Sequence, residues 1–129
     1  MFQKMLQGGS GGDTFPKYEI NNLVVFAERC TIENGGYFIK DGVCFADVSI
    51  KALKTTSDNQ SPLEGFPRPK NSDNGIRAAI YNTVNGTFVG AKIIEYVSST
   101  GKTFLDCGLT IGQNYRVLSM YLTDEADTV

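Results

Sequence analysis

The chain has 129 residues, 41% of them hydrophobic, with Lys+Arg 12 against Asp+Glu 14. That is about one domain with enough apolar matter, Phe 8 and Tyr 6 included, for a single packed core, and it argues against disorder of the chain body. A net charge of -2 supplies no electrostatic footprint for nucleic acid and none for docking on an anionic membrane.

No run reaches the roughly 18 apolar residues of a transmembrane helix. Met1–Gln7 lacks the apolar stretch of about 7–15 residues that a signal peptide needs, so the expectation is assembly in the cytoplasm without Sec-type export. Gly8-Gly9-Ser10-Gly11-Gly12 is a flexible linker by composition. Residues 1–14 are therefore read as an N-terminal segment and linker, and 15–129 as one β-domain. Phe2, Met5 and Leu6 could form one apolar stripe on two helical turns, too short to be stable alone.

From Tyr18 the pattern is β. Leu23-Val24-Val25-Phe26 is a short run of strand formers. Glu33-Asn34-Gly35-Gly36 reads as a turn, because Asn and Gly accept positive φ. Asp41-Gly42 marks a hairpin turn. In the strand that follows, Cys44, Ala46, Val48, Ile50 and Ala52 alternate with Asp47, Ser49 and Lys51, placing an apolar set on one face.

Residues 55–74 break the pattern with Pro62, Pro67 and Pro69, which cannot donate to a ladder, and read as one long loop. Loops of this length are often functional. Phe66, Arg68 and Lys70 on this stiffened loop, with Tyr81 further along, suit recognition of a sugar or peptide. The plainer alternative is that Phe66 pins the loop to the core while Arg68 and Lys70 are solvated.

Ile76–Tyr81 is a strand, Asn85-Gly86 a hairpin signal, and Thr87–Val97 the partner strand. Ser98–Gly101 turns the chain. Thr103–Ile111 and Tyr115–Leu122 form the last pair, joined through Gly112-Gln113-Asn114. Thr123–Val129 reads as an acidic, frayed tail. Seven to nine short strands with turn chemistry between them predict an all-β, antiparallel β-sandwich, jelly-roll-like.

Thr87–Val97 is apolar on both faces: Val89, Ala91 and Ile93 on one, Phe88, Ile94 and Tyr96 on the other. A sandwich strand should meet water on one side. Either neighbouring side chains or a loop cover the second face, or Phe88, Ile94 and Tyr96 belong to a subunit contact in a homo-oligomer.

The catalytic motifs are incomplete. Tyr96–Thr103 ends like a phosphate-binding loop, but its first position holds Tyr96 and Thr103-Phe104-Leu105 enters a strand pattern, not a helix. No nucleotide or other cofactor is expected. The chain has no histidine and no Cys-x-x-Cys spacing, so no metal site is expected. Cys30, Cys44 and Cys107 read as buried, reduced thiols. Asp47 and Asp106, both inside strand patterns, are a carboxylate pair that could serve a glycosidase; the alternative is that each faces solvent from its own strand. The expectation is a non-enzymatic domain.

The order of features resembles the distal, receptor-binding head domains of tail fibre and baseplate proteins of tailed bacteriophages. The residues that carry the likeness are Asp41-Gly42-Val43 opening the strand through Val48-Ser49-Ile50, the Gly65-Phe66-Pro67-Arg68-Pro69 turn, Ala78-Ala79-Ile80, and the closing strand Tyr115–Leu122. Met1–Gly12, a short segment with a Gly-rich spacer, also looks like small prophage tail-region proteins. The resemblance implies a β-sandwich head, homotrimeric assembly, association with a virion and contact with a bacterial surface saccharide. A monomeric carbohydrate-binding module is the other reading, with Phe66, Arg68 and Tyr81 lining its site.

Overall fold

A computed structural model describes residues 22–71 and 75–129; the candidate stripe of Phe2, Met5 and Leu6 and the glycine linker lie outside the described residues. Among those described there is no helix, and eight strands form one antiparallel sheet: β1 (Val24–Val25), β2 (Cys30–Lys40), β3 (Val43–Ala52), β4 (Leu63–Glu64), β5 (Ile76–Asn82), β6 (Thr87–Val97), β7 (Lys102–Asp106) and β8 (Asn114–Leu122). Their order in the sheet is β1-β4-β7-β6-β5-β8-β3-β2, and β1 lies against β2, so the sheet is nearly closed into a barrel. The all-β, antiparallel expectation holds. The pairing traces one continuous sheet and does not establish a two-sheet sandwich or a jelly roll.

Side-chain alternation fills the barrel. Cys44, Ala46, Val48, Ile50 and Ala52 of β3 point inward, as their spacing predicts, and meet Ile80 of β5, Ile94 of β6, Leu105 of β7 and Val117 of β8 in one core. All three cysteines are buried and unpaired by disulfides, filling space as small apolar groups.

Two bulges set the strand faces. In β2 the register slips between Ile32 and Asn34, leaving Glu33 as the extra residue. The Asn-Gly-Gly run predicted as a turn therefore lies inside a strand. Gly35, at φ 81°, is required there, because a Cβ would stand 2.1 Å from the carbonyl oxygen of Asp47. In β6 the register slips opposite Ile80 and Tyr81, leaving Val89 unpaired. A one-residue slip exchanges the faces of a strand. Phe88 is thus on the outer face with its partner Tyr81, while Ile94 faces the core.

The turns follow local chemistry in part. Asp41 and Gly42, both at positive φ, join β2 to β3 in the two-residue hairpin expected. The β5–β6 loop is longer, because Asn82 caps it with its side-chain oxygen, accepting from the backbone N–H groups of Val84 and Asn85.

The proline-bearing segment is not one loose loop. It contains β4, and Pro62 and Pro67 are fully buried. β7 stops at Asp106, where the chain bends to let the Gly108 N–H reach the Asp58 carboxylate. Leu109 stays in the core, whereas Ile111 is exposed.

The acidic tail is also ordered against the barrel. Thr128 exchanges hydrogen bonds with Ile39, its backbone N–H donating to the Ile39 carbonyl and its hydroxyl accepting from the Ile39 N–H. The Asp127 carboxylate accepts from the N–H groups of Asp41 and Gly42. The expectation of a frayed end overlooked this: left-handed residues at the hairpin turn outward-facing N–H donors toward a carboxylate.

Candidate functional site

A cleft of about 650 Å³ opens where the chain beyond β4, the end of β6 and the tail beyond β8 converge; Arg68, Lys70, Tyr96, Ser98, Asp124 and Glu125 line it. Backbone pairing assembles it. The Lys70 N–H donates to the Leu122 carbonyl at 2.8 Å, and Pro69 bridges Thr123. Below, the buried Tyr121 hydroxyl donates to the Pro67 carbonyl at 2.7 Å. Phe66, 3% exposed, is driven into the core and anchors the segment.

Tyr96 has the inward parity of Ile94 but lies two residues nearer the barrel end, so its ring is only half-buried. The Arg68 guanidinium lies over it, 3.9 Å from the ring centroid, a separation at which the cation is drawn to the ring face. The Arg68 backbone N–H donates to the Glu125 carboxylate at 2.8 Å. The Lys70 ammonium stands 3.4 Å from Asp124, both side chains well exposed. One cleft thus joins an aromatic ring, two cations and two carboxylates. Such a set offers donors and acceptors to hydroxyl-rich ligands and a charged edge to ionic ones.

The structure brings Arg68 and Lys70 together and separates the other two predicted ligand residues from them. Phe66 is a core anchor and presents nothing to solvent. Tyr81 is on the outer face of β5, its ring 5.3 Å from that of Phe88. Of the predicted subunit-contact residues, Ile94 is 0% exposed and belongs to the core, so it is withdrawn from any surface; Phe88, at 58%, is available; Tyr96 lines the cleft. Sequence reasoning missed Asp124 and Glu125 because no local pattern pairs 68–71 with 122–125. The bulge at Val89 hid the separation of Phe88 from Ile94.

Asp47 and Asp106 do not form a pair. Three strands (β8, β5 and β6) separate theirs in the sheet, and Arg116 holds Asp47 in a bidentate ion pair at 2.9 and 2.6 Å. Asp106 instead meets Glu95. The shared hydrogen bond between their carboxyls, then burial and like charge, push Glu95 up to about 7. Asp106 also accepts a hydrogen bond from the Ser61 hydroxyl. Clefts of about 340 and 350 Å³ flank this pair and share Asn59 and Asp106. The Asp58 carboxyl beside them is held below its usual range by the Gly108 N–H and by Lys92.

Burial pushes each of the three thiols up to about 12, so none is a thiolate at neutral pH. Among the described residues no cluster of three His, Cys, Asp or Glu side chains could hold a metal ion. Comparison with protein-family models, with curated proteins and with solved structures gave no match to this chain.

Proposed function

We propose that the chain is a non-enzymatic adhesion domain: a receptor-binding head of the kind carried by phage tail fibres, encoded with a virion or prophage, that assembles as a homotrimer and contacts a bacterial surface saccharide. The observation that carries the binding half is the cleft of Arg68, Lys70, Tyr96, Asp124 and Glu125. The Tyr96 ring holds the Arg68 guanidinium over its face, and that group with Lys70 and the two carboxylates supplies the convergent charged and polar partners that the hydroxyl rim of a sugar requires. The assembly half is supported by apolar side chains on the outer face, where Phe88 is 58%, Met120 68% and Leu122 60% exposed. The jelly-roll-like sandwich of such heads belongs to the same proposal; the antiparallel sheet is compatible with it.

A glycan array followed by titration of its best binder tests the reading. Tyr96→Ala is expected to weaken that binder about tenfold or more while leaving the melting temperature within a few degrees. An array without binders overturns it. The second reading, a monomeric carbohydrate-binding module, uses the same cleft. Light scattering separates the two: the trimer predicts three times the chain's molar mass, the module one.

A further inference from the structure

The cations of the cleft are faced by carboxylates of the chain's own tail. Asp124 and Glu125 lie between two anchors of that tail on the barrel. On one side the Thr123 N–H donates to the Gly42 carbonyl; on the other Asp127 and Thr128 hold the β2–β3 hairpin. Asp124 can therefore turn away while the anchors stay in place, the Glu125 carboxylate being held by the Arg68 backbone N–H.

The hold of Asp124 on Lys70 is weak. The Lys70–Asp124 pair leaves both side chains largely in water, at 44% and 77% exposure, and exposed ion pairs contribute little and are screened by salt. Arg68 presents a different aspect. With the Tyr96 ring on its face, a guanidinium keeps its N–H donors in its own plane, the geometry that takes a carboxylate through two parallel bonds.

We propose that the cleft binds an acidic sugar, its carboxylate held between the Arg68 guanidinium and the Lys70 ammonium, and that Asp124 is an internal competitor for that anion position, with Glu125 adding like charge beside it. This rests on the saccharide-binding reading above and narrows its ligand to a carboxylate-bearing class. Asp124, 3.4 Å from the Lys70 ammonium, takes the place of the ligand's charge there until it arrives.

The test titrates the full chain with a glucuronate-terminated disaccharide and with its neutral glucose-terminated counterpart. The acidic sugar is expected to bind more tightly than the neutral one and to weaken with added salt. Asp124→Asn/Glu125→Gln is expected to tighten the acidic sugar by roughly fivefold, the scale of an exposed ion pair of about 1 kcal/mol. Asp124→Asn alone, at a largely exposed side chain whose ion-pair partner among the described residues is Lys70, is expected to give the same direction with the fold intact, and Lys70→Met is expected to remove the preference. If the neutral sugar binds as well as the acidic one, this inference falls and the saccharide reading stands. If neither sugar nor any glycan on the array binds wild type or the Asp124→Asn variant, both fall.

Discussion

The Glu95 carboxyl, hydrogen-bonded to that of Asp106, keeps its proton up to about 7, and the sign of the pH effect follows. Below the ordinary glutamic acid value of 4.5 both the folded and the unfolded chain carry it. As pH rises, the unfolded chain releases it first while the folded chain keeps it to about 7. The stability the proton supplies is thus present at low pH and lost on approach to neutrality. Arg77 and Lys92 border the same cleft and moderate the repulsion that follows, whereas the Asp58 carboxylate adds to it. The melting temperature is expected to fall between about pH 4.5 and 7, and Glu95→Gln, which keeps a donor toward Asp106, is expected to flatten that slope in calorimetry. Gly35 makes a steric prediction at the same scale. Its left-handed φ and the 2.1 Å approach of a Cβ to the Asp47 carbonyl predict that Gly35→Ala costs about 3 kcal/mol or more, read from the denaturant midpoint.

At the level of elements, the tail and the β2–β3 hairpin stabilise each other. Thr128→Val removes the hydroxyl that accepts from the Ile39 N–H at 2.8 Å. A loss of about 1 kcal/mol is expected, with faster hydrogen exchange at the Ile39 amide as the specific sign. This clasp was illegible in the sequence, where Thr123–Val129 has neither apolar alternation nor a turn signal. The strand β3 was fully legible, because small apolar residues alternate there without interruption. Glycine misled where it serves a bulge: Asn34-Gly35-Gly36 has the composition of a turn, and only the carbonyl of Asp47 across the strand pair decides otherwise. The turn after β1 was hidden for the opposite reason. Ala27 and Glu28 both adopt left-handed φ of 55°, a conformation their side chains do not advertise. In the cleft, Arg68 and Lys70 were readable from their loop, whereas Tyr96, Asp124 and Glu125 arrive through pairings distant in sequence.

For the whole molecule, the outer face divides the two functional readings. Around the Arg116–Asp47 pair the β3–β8–β5 surface is apolar, with Phe45 opposite Met120 and Val43 opposite Leu122. The start of β6 adds Phe88, packed against Tyr81 of β5. If this surface joins subunits, Phe88→Ser is expected to lower the molar mass seen by light scattering toward that of one chain. Because Phe88 is already largely in water, the same change costs the fold less than about 1 kcal/mol, so denaturation and dissociation are separable.

The place of β8 in the sheet bears on how quickly this architecture can form. It sits between β5 and β3, so the β2–β3 hairpin and the β5–β6–β7 unit, each built from neighbours in the chain, have no ladder in common until β8 enters between them. Its partners lie 33 or more positions away in sequence, and such closures are slow, placing folding in the range of about milliseconds to seconds. Until that insertion the two units present bare edges, the state in which one copy's β8 could complete another copy's barrel.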